Sequence, residues 1–281
     1  MSLPFDVTLL VLLAALMHAS WNAIAKSATN KLLDITAMAV AGGAACALVL
    51  PFLPVPEREA WPWLAASLLL HFLYFMALVG AYNRADLSHA YPLMRGVAPL
   101  LVALFGVILL NDQLTASMWT GVALISTGIL LPFWLGAGNK KDFLKSSSFA
   151  LANAAIIAAY TLVDGFGTRL SANPLSYCLW LFLLDPLPIL AIAIARHGGG
   201  VWHHFQKRWL ACTFGGLLTV CAYGIVLWAM TRAPIAAVSA LRETSVIFAA
   251  LIGAAFLRES LGALRVVGAV LVVGGIAALR L

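Results

Sequence analysis

The chain has 281 residues, of which 63% are apolar and 10% charged, with a formal net charge of +6 and a mean hydropathy of +0.99. Soluble globular domains carry about a quarter of their residues as charges, so this balance excludes that class and places the chain in a bilayer. The positive surplus sits in loop residues such as Lys140, Lys141, Lys145, Arg196, Lys207 and Arg208. It follows the positive-inside bias and lacks the aromatic interleaving that single-strand binding needs, so no nucleic-acid partner is expected.

Apolar stretches of about 20 residues, the length a helix needs to cross the hydrocarbon, fall at 7–25, 33–53, 62–83, 88–111, 117–135, 148–169, 175–195, 209–230, 235–257 and 261–279. They are long Leu, Ala and Val runs without the period-two alternation of barrel strands. Backbone groups in lipid must be satisfied within the span, so ten transmembrane helices are expected and the fold class is an all-α polytopic membrane protein. The two longest connections, 136–147 and 196–208, are basic and carry no apolar period, so no soluble domain lies in them.

The first span ends near Ala23-Ile24-Ala25, which resembles a signal-peptide cleavage site. The residues before it hold Asp6 and no Lys or Arg, and the repeat described below requires it as a helix. Within it His18, Asn22 and Lys26 recur every four residues and lie on one face, with Trp21 beside them. The third span spaces His71, Tyr74, Phe75, Leu78 and Tyr82 along a helix. In the fourth, Tyr91 and Arg95 share a face, and Pro92 and Pro99 should kink or loosen the turns around Arg95.

The seventh span contains Asp185-Pro186-Leu187-Pro188, which reads as a broken mid-helix or a local boundary, and the eighth contributes Tyr223 and Trp228. The ninth carries Ser239, Arg242, Glu243 and Ser245. Adjacent positions differ by about 100° on a helix, so Arg242 and Glu243 are not expected to face one point. Glu243 from across the bundle, or Asp164, is expected to neutralise one of the intramembrane Arg residues. If both are fully paired the constellation is a structural lock. A guanidinium left partly free is a fork suited to carboxylate, phosphate or phosphonate.

The chain repeats itself. Residues 90–129 lie over 237–276 without a gap at a constant offset of 147 (242 − 95), which pairs Arg95 with Arg242, Gly106 with Gly253, Asp112 with Glu259, Leu114 with Leu261, Gly121 with Gly268 and Gly128 with Gly275. A similar offset of 142 (160 − 18) sets Tyr160, Asp164 and Thr168 of the sixth span over His18, Asn22 and Lys26. The division is 1–139 and 140–281, one membrane domain of two five-helix repeats. Five crossings reverse the next unit, so the repeats are inverted, and such repeats place substrate sites near the midplane. A charge there costs roughly 2.5–3.5 kcal/mol on insertion scales, so an Arg kept in both copies is expected to face a polar interior.

Gly121 with Gly128 and Gly268 with Gly275 allow close packing of helices five and ten as scaffold; they would also permit, without requiring, a homodimer through those helices. Cys46, Cys178, Cys212 and Cys221 lack metal or redox spacing and read as packing residues. Neither metal nor cofactor is expected.

The phrases HASWNAIAK (18–26), RGVAPLLVALFGVILLNDQL (95–114) and RETSVIFAALIGAAFLRESL (242–261), with the five-plus-five pattern, resemble the drug/metabolite transporter superfamily, of the EamA type. The resemblance covers essentially the whole chain. It implies a basket of ten helices around a central cavity, alternating access by rocking bundles, and export or import of small metabolites, in some members by exchange or with protons. It also implies both termini in the cytoplasm, whereas the Lys and Arg count favours the opposite face, and the sequence does not reconcile the two.

The expected function is a secondary transporter of a small anionic or zwitterionic metabolite, amino-acid-like or phosphonate-like, in a bacterial-type inner membrane and in contact with its lipid. Without a Walker A motif ATP is not the direct driver. Arg95 or Arg242 is expected to hold the negative group, within a substrate site that includes Trp21, Asn22, His71, Tyr74, Tyr91 and Tyr160. His18, Asp164 and Glu243 are the candidate proton carriers, since buried imidazole and carboxyl groups can exchange a proton near neutrality. A flippase for lipid or lipid-linked sugar is the alternative, carried by family analogy. An intramembrane enzyme is disfavoured because no HExxH occurs and Ser20, Ser67 and Ser239 lie in no nucleophile motif.

Overall fold

The computed structural model describes residues 3–82, 87–135, 140–257 and 262–281, with side chains throughout except at 78–82, 87–91, 132–134, 140–147 and 256–257. Expectations that rest on Glu259 and Leu261, or on the side chains of Leu78, Tyr82, Tyr91, Lys140, Lys141 and Lys145, lie outside what is described. Every regular element among the described residues is helical.

The ten spans form twelve segments: α1 (Phe5–Lys26), α2 (Lys31–Val49), α3 (Trp61–Tyr82), α4 (Leu87–Leu110), α5 (Ala116–Leu135), α6 (Lys140–Leu170), α7 (Pro174–Leu184), α8 (Pro186–His197), α9 (Gly200–Met230), α10 (Ile235–Arg242), α11 (Ser245–Leu257) and α12 (Ala263–Leu279). The number rises because the seventh and ninth spans are interrupted. An even number of crossings returns the chain to its starting face, where the Leu3 amide donates to the Leu279 carbonyl at 3.3 Å.

One local signal opens the second span of each repeat. The Asn30 side chain accepts from the Leu33 amide at 3.2 Å, and Asn173 from the Ser176 amide at 3.1 Å. Each satisfies an amide that the first helical turn cannot pair, worth about 1 kcal/mol.

The interruption of the seventh span follows from Pro186, whose ring excludes a bond to the Phe182 carbonyl four residues earlier. That carbonyl points at α2, where a side chain on Gly43 would sit 3.0 Å from it and 3.3 Å from Pro186 Cγ. Glycine lets α2 close on the break. In α4, by contrast, the helix is continuous through Pro92 and Pro99, with no interruption beside Arg95. An interruption occurs opposite, in the ninth span, where Thr244, Val246 and Ile247 bond three residues back, at 3.2, 3.1 and 2.9 Å. Such tightened turns end α10 at Arg242 and restart α11 at Ser245.

The repeats interlock. α9 of the second packs on α1 and α2 of the first, and α6 packs on α3 and α4. The α5–α12 pair closes one side on the glycines: a Cβ on Gly128 would lie 2.5 Å from the Gly268 carbonyl oxygen and the converse is also 2.5 Å, while Gly121 and Gly275 oppose each other at 2.9 and 2.8 Å. These glycines are consumed within the chain, and Val266, Val270 and Val273 on α12 remain exposed toward lipid. Gly128→Val is expected to cost at least the roughly 1–3 kcal/mol of an overpacked contact, because the obstacle is backbone rather than a side chain that can turn away. A clearly lowered melting temperature in detergent is the expected result; an unchanged one would mean that the two helices separate freely.

Candidate functional site

Arg95 enters from α4 and Arg242 from the end of α10, both almost fully buried, and Glu243, in the turn before α11, is completely buried between them. Glu243 Oε2 lies 2.5 Å from Arg95 Nε and Oε1 lies 3.3 Å from Arg242 Nη2. The expectation that Arg242 and Glu243 cannot face one point is therefore overturned: the helix ends between them, and the long Arg side chain folds back onto the carboxylate of its neighbour. Neutralisation of Arg95 by Glu243 from across the bundle is as the sequence suggested. Arg95 Nη2 also donates to Ser245 Oγ at 3.2 Å.

One polar atom of the trio and one beside it have neither a hydrogen-bond nor an ion-pair partner among the described residues. Arg242 Nε and Ser239 Oγ are buried without a hydrogen-bond partner. Buried donors left in this condition cost about 1–3 kcal/mol each, more when charged.

His18 meets the trio from α1. Arg95 Nη2 lies 3.4 Å from His18 Nε2, and Trp21 Nε1 lies 3.3 Å from His18 Nδ1. Both ring nitrogens thus face groups that can only donate, and an imidazolium could accept from neither. Asn22 turns back to donate to the His18 carbonyl at 2.8 Å. His18, Trp21 and Asn22 are half-buried on the face of α1 away from the lipid-exposed Leu9, Leu13 and Leu16.

A second polar centre is built on α6. Asp164, fully buried, accepts from Tyr177 Oη at 3.1 Å and from Tyr223 Oη at 2.5 Å. It therefore binds hydroxyls, not the Arg residues that the sequence offered it. His71 stands nearby, its Nδ1 3.2 Å from Ser67 Oγ and its ring 4.5 Å from Tyr160. Tyr74 and Tyr223 complete an aromatic wall at 6.0 Å from Tyr160 and 6.1 Å from His71. Tyr160 lies within electrostatic reach of Arg95, Arg242 and Glu243 on one side and Asp164 on the other, so it joins the two centres.

Of the residues singled out in the sequence, His18, Trp21, Arg95, Arg242 and Glu243 are thus gathered at one centre, with Asn22 beside them, and His71, Tyr74, Tyr160 and Asp164 at the other. The Tyr91 side chain lies outside the described residues. Lys26 sits at the exposed end of α1 rather than with His18.

Two further ion clusters went unrecognised in the sequence, one at each end of the bundle. Asp34 of α2, fully buried, binds His204 Nε2 at 2.7 Å and Arg208 Nε at 2.8 Å, at the point where α9 leaves helical geometry. At the face carrying the termini, Arg169 donates to Asp112 at 2.8 Å and to the Met230 and Ala233 carbonyls at 2.9 and 3.1 Å. The other Asp112 oxygen accepts from the Ile235 amide at 2.7 Å and so caps α10. The repeat marked Asp112 by matching it to Glu259; nothing in the sequence marked Tyr177 or Asp34.

A concavity of about 650 Å³ lies elsewhere, between α1, α2, α7 and α9, lined by residues such as Leu10, Val49, Leu175, Leu217 and Trp228. It is apolar, opens to the bilayer side and shares no residue with either polar centre, so volume alone does not locate the chemistry.

Comparison with known proteins agrees with the architecture. The model of the EamA-like transporter family matches twice, over residues 7–134 and 144–281. No curated protein matches. A solved crystal structure, described only as that of a protein, superposes with a TM-score of 0.77 over 98% of both chains at 20% identity, a likeness of fold.

Proposed function

The chain belongs to the EamA-like transporter family, and from that premise we propose that it is a secondary transporter of a small anionic or zwitterionic metabolite, working by alternating access in a bacterial inner membrane. It is an integral membrane transporter rather than an enzyme. The finer reading rests on one observation: two buried guanidinium groups share a single carboxylate, Glu243, among the described residues. The trio carries two positive charges and one negative, so its surplus is positive, in surroundings where ionic contacts are far stronger than in water.

Arg242 Nε and Ser239 Oγ supply unused polar atoms at the same place. The two guanidinium groups offer a carboxylate, phosphate or phosphonate the charge-assisted donors it needs, and the Ser239 hydroxyl remains for the carboxyl group they do not hold. A zwitterion would find its second partner at Asp164, across Tyr160, and the rings of Tyr74, Tyr160 and Tyr223 would flank an apolar side chain. Transport would proceed by proton coupling or by exchange.

The test is uptake into proteoliposomes preloaded with unlabelled solute, using L-alanine, L-glutamate, methylphosphonate, a neutral sugar and a lipophilic cation. Saturable counterflow of an anion or zwitterion is expected. Counterflow confined to the sugar or the cation would reject the anionic site, and movement of a fluorescent lipid alone would favour a flippase.

A further inference from the structure

We propose that Glu243 is an internal stand-in for the substrate's anion, and that each monoanion displaces it from the arginines as it takes up one proton. This rests on the reading of Arg95 and Arg242 as the anion site.

The argument begins with what Glu243 occupies. Its two oxygens lie on Arg95 Nε and Arg242 Nη2, the donors that an incoming carboxylate would also use. Binding is therefore substitution. Once displaced, the Glu243 carboxylate has nowhere to go, for its side chain is wholly buried. Among the described residues the groups that face the trio are His18 from α1, Ser245 from α11, Tyr160 from α6 and Tyr223 from α9, with Asp164 beyond Tyr160. None of these is an obligate cation, and a buried carboxylate without a counter-ion neutralises instead.

The protonated acid has a partner within its own turn of chain: Ser239, four residues before it, holds a buried hydroxyl with no partner among the described residues. Displacement and protonation are then two halves of one event. The proton arrives from solvent and rests on Glu243, and the anion takes its place on the guanidiniums. The site holds a net charge of +1 when empty and +1 when loaded with a monoanion and a proton, so the carrier can reorient with the same buried charge in either case.

The sign of the pH dependence follows. Glu243 carries a proton in the loaded site and none in the empty one, so affinity is greatest at low pH and falls as pH rises. One proton per anion corresponds to about a tenfold loss of affinity per pH unit.

Binding of propionate and of methanesulfonate to the purified protein tests this, since neither probe changes charge between about pH 6 and about pH 8. Calorimetry in buffers of different ionisation enthalpy counts the protons. Close to one proton taken up per anion is expected in the wild type, with the tenfold slope. Glu243→Gln is expected to bind with no slope and no uptake; in His18→Gln and Asp164→Asn, whatever their affinity, the proton count per bound anion stays close to one. If Glu243→Gln does not fold, the wild-type proton count decides alone. Anion binding without proton uptake overturns the proposal and leaves the anion site standing, and so does a slope that persists in Glu243→Gln and vanishes in either other variant. If propionate, methanesulfonate, L-alanine and L-glutamate all fail to bind the wild type, the anion site falls and the proposal with it.

Discussion

Glu243→Ala is expected to destabilise the protein more than any other single substitution at the polar centres, by about 3–5 kcal/mol. The carboxylate is the one group that both Arg95 and Arg242 contact as an ion pair among the described residues. Its removal leaves two guanidiniums buried side by side, and their mutual repulsion adds to the lost pairing. Glutamine in its place keeps a carbonyl that can accept from one arginine, so it should cost markedly less. Thermal melts in detergent of the wild type, Glu243→Ala and Glu243→Gln give the ranking. An alanine variant as stable as the wild type would mean that the guanidiniums do not depend on Glu243.

Arg95→Met has the opposite profile. It leaves Arg242 and Glu243 as a neutral pair, so the fold should suffer less than in Glu243→Ala. What disappears is the positive surplus that draws an anion. Truncating one partner of a buried charge contact typically costs about 2–5 kcal/mol, so affinity for an anionic substrate should fall on the order of 100-fold or more. Arg242→Met should resemble it, with the unpartnered Nε also removed. Counterflow rates and melting temperatures measured on the same preparations separate function from stability. If both Arg variants unfold as readily as Glu243→Ala and the wild type binds no anion, the trio is a structural lock.

Much of this arrangement is legible in the sequence. The repeat identified Arg95 and Arg242 together because a charge is costly in lipid and is not duplicated at one depth without a polar environment. The glycines at 121, 128, 268 and 275 announced a close helix pair because only they admit backbone to backbone contact. The meeting of Arg242 with Glu243 was not legible, since periodicity assumes an unbroken helix and the interruption at 243 and 244 carries neither proline nor glycine. At Pro92 and Pro99, by contrast, α4 continues as one helix. Asp34 with Arg208 and Asp112 with Arg169 join residues 174 and 57 positions apart, and tertiary ion pairs of that kind leave no local pattern. The paired caps at Asn30 and Asn173 were available, each an Asn just ahead of an apolar run.

The most direct test of the central claim, that the Arg pair holds the negative group of the substrate, is ligand-dependent thermal stability of wild type and Arg95→Met against amino acids, phosphonates, sugar phosphates, nucleosides and cationic drugs. A ligand at about 100 times its dissociation constant stabilises by roughly 2.7 kcal/mol. An anionic or zwitterionic compound that stabilises the wild type and not Arg95→Met is the expected result; stabilisation by cations alone, or equally in both proteins, would contradict it.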